Sequence, residues 1–99
     1  MPRLFRFYFL IFMYYCYILQ SLLNNRYYAG STDNIQARLE CHNKGLVKST
    51  KPYLPWKLVY YEYFTTRAEA IRRERQIKSW KKRIMIEKII SKNKIANPR

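Results

Sequence analysis

Cysteine is scarce in this sequence, and its two thiols, Cys16 and Cys41, are well separated along the chain. Neither belongs to a Cys-x-x-Cys pair or lies at metal-ligand spacing from a second Cys or His pair, which argues against a structural zinc site. We expect both thiols to be buried and reduced rather than joined in a disulfide, as is usual for a cytosolic protein.

Acidic residues are also few. Six Asp and Glu stand against twenty Lys and Arg, which gives a formal net charge of +14. A charge of this size attracts polyanions through a long-range field that salt screens. A nucleic acid is therefore the expected partner, although composition alone leaves a non-catalytic basic protein, such as a ribosome-associated one, equally open.

The sequence has no apolar run long enough to cross a bilayer. Residues 7–19 are uncharged and follow Arg3 and Arg6, as at the start of a signal peptide, but no small-residue cleavage site follows. The run is aromatic and strand-like, and it is shorter than the roughly 20 residues of a spanning helix. If translation starts at Met13, residues 1–12 are an N-terminal extension and a start-site artefact.

A chain of 99 residues has room for one compact domain. Its hydrophobic fraction of 48% is large enough to offset the entropy lost when the backbone is ordered. No internal repeat or linker divides it. We expect the domain to span residues 13–91 and a basic tail to span residues 92–99.

Local patterns predict the order β-β-α-β-α-α. Strands are expected at residues 14–19, 26–29 and 57–64, and a first helix at 33–42. A second helix should begin at the capping box Thr66-x-x-Glu69, with Ala70, Ile71, Glu74, Ile77 and Trp80 on one face. A last helical segment is expected within 81–90. Asn24-Asn25 suits a hairpin turn. The predicted fold class is therefore α+β, with a three-stranded antiparallel sheet and flanking helices.

Turn-forming and helix-capping residues refine these boundaries. Gly30 is expected to end the second strand, and Ser31, Thr32 and Asp33 are the candidate N-caps of the following helix. Residues 43–56 hold Gly, Ser, Thr and Pro too densely for a regular element, so an ordered basic surface loop is expected there.

Polar residues that interrupt apolar helix faces are the first candidates for chemistry. Arg38 and His42 lie four apart, on the face that carries Ile35 and Leu39. Packing and hydrogen bonding are the ordinary roles of such residues. Glu74 interrupts a second apolar stripe, where it would either pair with the residue four positions later, Lys78, or bind a divalent cation.

Two tyrosine triplets then become informative. Cys16-Tyr17-Ile18 and Tyr28-Ala29-Gly30 resemble the two halves of the GIY-YIG signature, with eleven residues from tyrosine to tyrosine. Arg38, ten residues after Tyr28, and His42 stand where that endonuclease family has its helix arginine and histidine. Glu74 is similar to the family's metal-binding glutamate. The departures at Cys16, Ile18 and Ala29 fall at strand positions, where size matters more than chemistry.

Further segments resemble the small stand-alone bacterial GIY-YIG proteins, and the domain is also similar to the N-terminal nuclease domain of the excision-repair incision subunit. These segments are His42-Asn43-Lys44-Gly45, Ser49-Thr50-Lys51, Pro55-Trp56-Lys57-Leu58-Val59-Tyr60 and Glu69-Ala70.

The resemblance implies a cytoplasmic, Mg²⁺- or Mn²⁺-dependent endonuclease acting on double-stranded or branched DNA in repair or recombination. Glu74 would hold the metal and Arg38 would neutralise phosphate charge. Tyr28 would act as general base while Tyr17 and His42 orient it, although the division of roles among these three stays open. Basic positions expected to contact the nucleic acid are Lys44, Lys48, Lys51, Arg72, Arg73, Arg75, Lys78, Lys81 and Lys82.

Two alternatives remain. A non-catalytic nucleic-acid-binding module could share the fold and charge without cleaving DNA. A small membrane-anchored protein could instead use residues 4–23, an interpretation that requires these residues not to form a sheet strand.

Overall fold

The elements of the computed structural model, which describes residues 13–96, follow the predicted order β-β-α-β-α-α. They are β1 (Tyr14–Ser21), β2 (Tyr27–Thr32), α1 (Ile35–Asn43), a 3₁₀ turn (Lys51–Tyr53), β3 (Trp56–Phe64), α2 (Arg67–Lys78) and α3 (Arg83–Ala96). The strands form one antiparallel sheet of order β2-β1-β3. The predicted α+β class is confirmed, and the expected extension at residues 1–12 lies outside the described residues.

Alternation along the central strand β1 gives the sheet two covered faces. Cys16 and Ile18 pack with Ala29 and with Ile77 of α2, and α3 contributes to the same cluster. The intervening residues of β1 point to the opposite face, which α1 and the 3₁₀ turn cover. The core on that face contains Tyr17, Leu19 and Trp56 with Tyr28, Ile35, Leu39, Tyr53, Leu54 and Leu58. The sheet is therefore a middle layer between α1 and the pair α2 and α3.

The turn between β1 and β2 is the one expected from Asn24-Asn25. Asn25 adopts a left-handed φ of 63°, a conformation that asparagine tolerates better than most residues. Ser21 anchors the turn: its hydroxyl accepts the backbone N–H groups of Leu23 and Asn24, and donates to the carbonyl of Tyr53. The hairpin end is thereby tied to the 3₁₀ turn.

Gly30 does not end β2, contrary to the prediction. The strand continues to Thr32, and Gly30 pairs with Tyr17 inside the sheet. Because Ser31 and Thr32 remain extended, the helix begins later than the expected residue 33, and Asn34 caps it by accepting the N–H of Ala37 at 3.0 Å.

Thr66 caps α2, as its sequence pattern predicted. The Thr66 hydroxyl accepts the backbone N–H of Glu69 at 3.2 Å and donates to the Glu69 carboxylate at 2.9 Å. The helix ends at Lys78, so Trp80 lies in the connection to α3 rather than on the helical stripe where it was expected. Helix α3 continues to Ala96, past the point after Ser91 where the tail was expected to begin.

The loop after α1 is irregular apart from its 3₁₀ turn, as expected. Asn43 closes it, because its side-chain oxygen accepts the N–H of Trp56 at 2.7 Å and its amide donates to the Trp56 carbonyl at 2.9 Å. The indole of Trp56 donates to the carbonyl of Thr50 at 2.9 Å. These bonds fix Thr50, which is fully buried, beneath the end of α1.

Both cysteines are free thiols, as expected, but only Cys16 is buried and Cys41 is half-buried. Cys41 follows Glu40 on α1, where the helix face turns away from the sheet. The expectation of two buried thiols is therefore wrong for Cys41.

Residues 14–21 form the central strand of the sheet, whereas an anchor across residues 4–23 would need a helix there. Within residues 13–96, no helix combines the length and the apolarity needed to cross a bilayer.

Candidate active site

Tyr17 is the buried centre of the site, with only 2% of its surface exposed. Its ring crosses from β1 over the paired Gly30 of β2. A Cβ atom at Gly30 would lie 2.4 Å from the Tyr17 hydroxyl oxygen, closer than atoms can approach. The glycine is therefore required by the tyrosine that lies over it.

A hydrogen-bonded chain connects Tyr17 to the loop after α1. Its hydroxyl lies 2.9 Å from His42 Nε2, and His42 Nδ1 lies 2.8 Å from the Thr50 hydroxyl. The Thr50 hydroxyl also lies 3.3 Å from the carbonyl of Val47. Both ring nitrogens of His42 therefore have hydrogen-bond partners inside the protein.

Burial keeps both partners of the Tyr17–His42 bond neutral. Burial raises the pKa of Tyr17 to about 12, although a hydrogen bond with Arg38 and the positive charge of Arg38 both act to lower this pKa. Burial, together with the positive charge of Arg38, lowers the pKa of His42 to about 4. At neutral pH the hydrogen bond therefore joins an uncharged phenol to an uncharged imidazole.

Tyr28 lies on the same sheet face at the edge strand β2 and is half-buried. Its ring centroid is 5.1 Å from that of His42, edge to face, and 6.2 Å from the ring of Trp56. The ammonium of Lys78, from α2, lies 5.0 Å from the centre of the Tyr28 ring. Tyr28 is thus more accessible than Tyr17 and has a cation beside it.

Glu74 approaches the same edge of the sheet from α2, and its side chain is 19% exposed. The Ser31 hydroxyl donates to Glu74 Oε1 at 2.6 Å, and Lys78 Nζ lies 2.8 Å from Oε2. The helical pair with Lys78 weighed from the sequence is therefore present. Since Lys78 also contacts Tyr28, it links the carboxylate of α2 to the tyrosine of β2.

Ser31 is a site residue that the sequence analysis considered only as a helix cap. Alternation along β2 could have identified it: if Gly30 faces Tyr17, the next residue must face α2. Thr50 appeared only within a family-like segment, and nothing local indicated that it orients His42.

Glu74 is compatible with a magnesium-type ion, which keeps most of its waters and needs only one or two protein carboxylates. Within residues 13–96, no group of three or more His, Cys, Asp or Glu side chains is placed to hold a metal. Any ion here would therefore depend on Glu74, water and substrate oxygens. Lys78 would have to release Glu74 Oε2 to admit it.

Most of the basic residues expected to contact nucleic acid are exposed on the loop after α1, on α2 and just after it. These are Lys44, Lys48, Lys51, Arg72, Arg75, Lys78, Lys81 and Lys82. Arg73 differs from them, because its guanidinium donates to both oxygens of the Glu62 carboxylate at 2.9–3.1 Å, with both side chains 24% exposed. Arg73 therefore joins α2 to β3 through this ion pair.

The family model of the GIY-YIG catalytic domain matches residues 13–90. The chain belongs to the GIY-YIG family. It is 39% identical over 77 residues to a UPF0213 protein of Staphylococcus haemolyticus, covering 77% of this chain and 93% of that one. It is 38% identical over 82 residues to a UPF0213 protein of Clostridium perfringens, covering 82% and 87%.

A solved structure shares this architecture. The solution NMR structure of a UPF0213 protein from Bacillus halodurans superposes with a TM-score of 0.51 at 30% identity, covering 80% of this chain and 83% of that chain. The nuclease-type fold and the resemblance to small stand-alone GIY-YIG proteins are thereby confirmed. The names of these relatives state no activity.

Gly30→Ala should lower the free energy of unfolding by about 1–3 kcal/mol, because the new methyl group displaces the Tyr17 ring. It should also break the Tyr17–His42 hydrogen bond, which would change the imidazole ¹⁵N shifts of His42. Gly45→Ala is the matched control: its φ of 76° makes it costly, but its Cβ would meet nothing closer than 3.6 Å. Unchanged His42 shifts in a folded Gly30→Ala protein would contradict the proposed packing.

Stability should fall as the pH drops from about 6.5 towards 4. The folded-state pKa of His42, about 4, is below its unfolded value, so the unfolded chain binds more protons in this window. The contribution, about 3 kcal/mol at most, is complete above pH 6.5 and is lost on acidification. Urea unfolding across this range measures it. Since the chain has one histidine, His42→Gln should flatten the dependence, and an equally steep slope in that variant would refute the assignment.

Proposed function

We propose that the chain is a metal-dependent endonuclease that hydrolyses DNA phosphodiester bonds. The observation that carries this proposal is the convergence around β2: Tyr17, Tyr28 and His42 pack together on one face, and Lys78 links Tyr28 to Glu74 on the other. A purely structural ion pair on α2 would not need to reach the signature tyrosine. Membership of the GIY-YIG family supports the same chemistry.

Tyr28 is the proposed general base for the attacking water. Tyr17 is less suited to this role, because burial raises its pKa to about 12 and its hydroxyl is hydrogen-bonded to His42 inside the protein. Tyr28 is half-buried and therefore more accessible, and the Lys78 ammonium lies 5.0 Å from the centre of its ring. Tyr17 and His42 hold the surrounding surface in place, so their role is to position Tyr28.

Arg38 is the proposed phosphate ligand, because its guanidinium can donate two parallel hydrogen bonds to phosphate oxygens. It lies one turn before His42 on α1 and interacts with the Tyr17 hydroxyl. A Mg²⁺ or Mn²⁺ ion held by Glu74 would supply Lewis-acid polarisation of the scissile phosphate and stabilisation of the leaving oxygen.

The exposed basic residues of the loop and of α2 would bind the DNA backbone outside the site. Because counterion release scales with the number of phosphates contacted, this binding should weaken steeply with salt. Double-stranded or branched DNA, and a role in repair or recombination, are the substrate and setting that the family resemblance favours.

A non-catalytic nucleic-acid-binding module is the second candidate. It is favoured by one observation, the 2.8 Å contact of Lys78 with Glu74, which uses a carboxylate oxygen that a metal would need. Incubating the protein with plasmid, nicked, branched and single-stranded DNA, with and without Mg²⁺ or Mn²⁺, separates the two. Metal-dependent cutting supports the nuclease, and binding without cutting supports the module.

Glu74→Ala should abolish metal-dependent cleavage while leaving DNA affinity nearly intact, because the metal acts on transition-state charge and the basic surface persists. Glu87→Ala is the matched control, since Glu87 forms the same helical type of ion pair with Arg83 on α3. Cleavage and binding are measured on each protein. Wild-type cleavage by Glu74→Ala would eliminate the metal site.

Arg38→Lys should fold and bind DNA but lose about 10²- to 10³-fold in single-turnover cleavage rate, the scale of removing one preorganised donor. A lysine ammonium cannot reproduce the paired geometry. Arg83→Lys, at an exposed position of α3 outside the proposed DNA-binding residues, should cleave normally. If Arg38 only packs along its helix, the substitution would shift the melting temperature and leave the rate per folded molecule unchanged.

A further inference from the structure

An open depression of about 420 Å³ lies on the α1 face of the sheet, beside the site. Its lining residues come from β1, β3 and the start of α1, and they are Tyr15, Asp33, Asn34, Ile35, Gln36, Leu58 and Tyr61. None of these described lining residues is a lysine or arginine. The depression therefore differs in chemistry from the basic surface that would bind the DNA backbone.

The depression adjoins the site on two independent elements. Tyr15 precedes Tyr17 by two residues on β1, so both side chains share a face, and Tyr61 is the β3 partner of Tyr17. On α1, Ile35 lies one turn before Arg38. A group bound here would lie beside Tyr17 and one helical turn from Arg38, the proposed phosphate ligand.

The aromatic lining is exposed and arranged for stacking. Tyr61 is 51% exposed, although a tyrosine ring in a strand would normally be packed against a neighbour. The rings of Tyr15 and Tyr61 meet edge to face with centroids 6.0 Å apart, so each restrains the other. Such a pair offers a preformed aromatic surface to a planar ligand.

The polar lining suits the edge of a planar heterocycle. Gln36 is exposed and carries both an amide donor and an acceptor. The Asp33 carboxylate lies 3.9 Å from the Arg67 guanidinium, and both side chains are about 60% exposed, so this pairing is weak. A carboxylate accepts the exocyclic amino group of a base, whereas it would repel a phosphate.

We infer that this depression binds an unpaired nucleobase of the DNA, next to the scissile phosphate. The inference rests on the proposed nuclease function and narrows its substrate. A base in an intact duplex is stacked and paired, so it cannot reach Tyr61 and Gln36 without leaving the helix. The preferred DNA then carries a bulge, flap, single-stranded end or other unpaired nucleotide at the cleavage point.

The test compares a short duplex with the same duplex carrying one bulged 2-aminopurine. Affinity is measured by fluorescence anisotropy with EDTA present, so that no cleavage intervenes. Wild-type protein should bind the bulged DNA about tenfold more tightly and quench the 2-aminopurine, as expected for stacking of one base. Tyr61→Ala should lose both effects, and Tyr61→Phe should retain them because the ring remains.

Tyr63→Ala is the matched control. Tyr63 lies on the same strand and face, is 65% exposed, and does not line the depression. It should behave as wild type. Equal affinity for both DNAs, a bulge preference that survives in Tyr61→Ala, or an equal loss in Tyr63→Ala would overturn the inference.

Cleavage of the same two DNAs with Mg²⁺ tests the nuclease function separately. Cleavage without any bulge preference in binding would leave the nuclease standing and overturn the base site. A Tyr61-dependent bulge preference with no cleavage of either DNA would support the base site and overturn the nuclease.

Discussion

The site depends on the hydrogen bond between Tyr17 and His42, which joins the central strand of the sheet to α1. Both side chains are fully buried, so neither could stay there without a partner. Gly30 provides the space for the tyrosine, and Thr50 holds the far side of the imidazole. Among the described residues, no buried side-chain oxygen or nitrogen lacks a hydrogen-bond partner. The same buried hydrogen bonds therefore hold α1 against the sheet and fix the geometry of the site.

The edge position of β2 explains how residues of two layers meet. Tyr28 and Gly30 face α1, while Ser31 faces α2 and binds Glu74. A central strand would separate the two faces, but an edge strand lets Lys78 reach around it to Tyr28. The two halves of the signature thus occupy the central strand and its edge neighbour, which brings the tyrosine pair close to a carboxylate from the other layer.

Local chemistry predicted the element order, the Asn24-Asn25 turn and the capping box at Thr66, because each depends on residues close in sequence. It wrongly predicted that Gly30 ends β2. A glycine is needed there because the Tyr17 ring, thirteen residues earlier and across the hairpin, lies over this position. Ser31–Glu74 and Arg73–Glu62 also join distant segments, and no periodicity along one helix or strand could indicate them. The spacing of Tyr17, Tyr28, Arg38, His42 and Glu74 carries the family resemblance. The structure packs Tyr17, Tyr28 and His42 together and links Tyr28 to Glu74 through Lys78.

Burial and hydrogen bonding also separate the proposed roles within this set. Both ring nitrogens of His42 have partners inside the protein, Nε2 with Tyr17 and Nδ1 with Thr50, and both His42 and Tyr17 are fully buried. In the proposed mechanism these two side chains are therefore positioning residues rather than a base or a metal ligand. The side chains proposed to face the substrate are those of Tyr28, Arg38 and Glu74, which are half-buried and so reach the surface around that rigid interior.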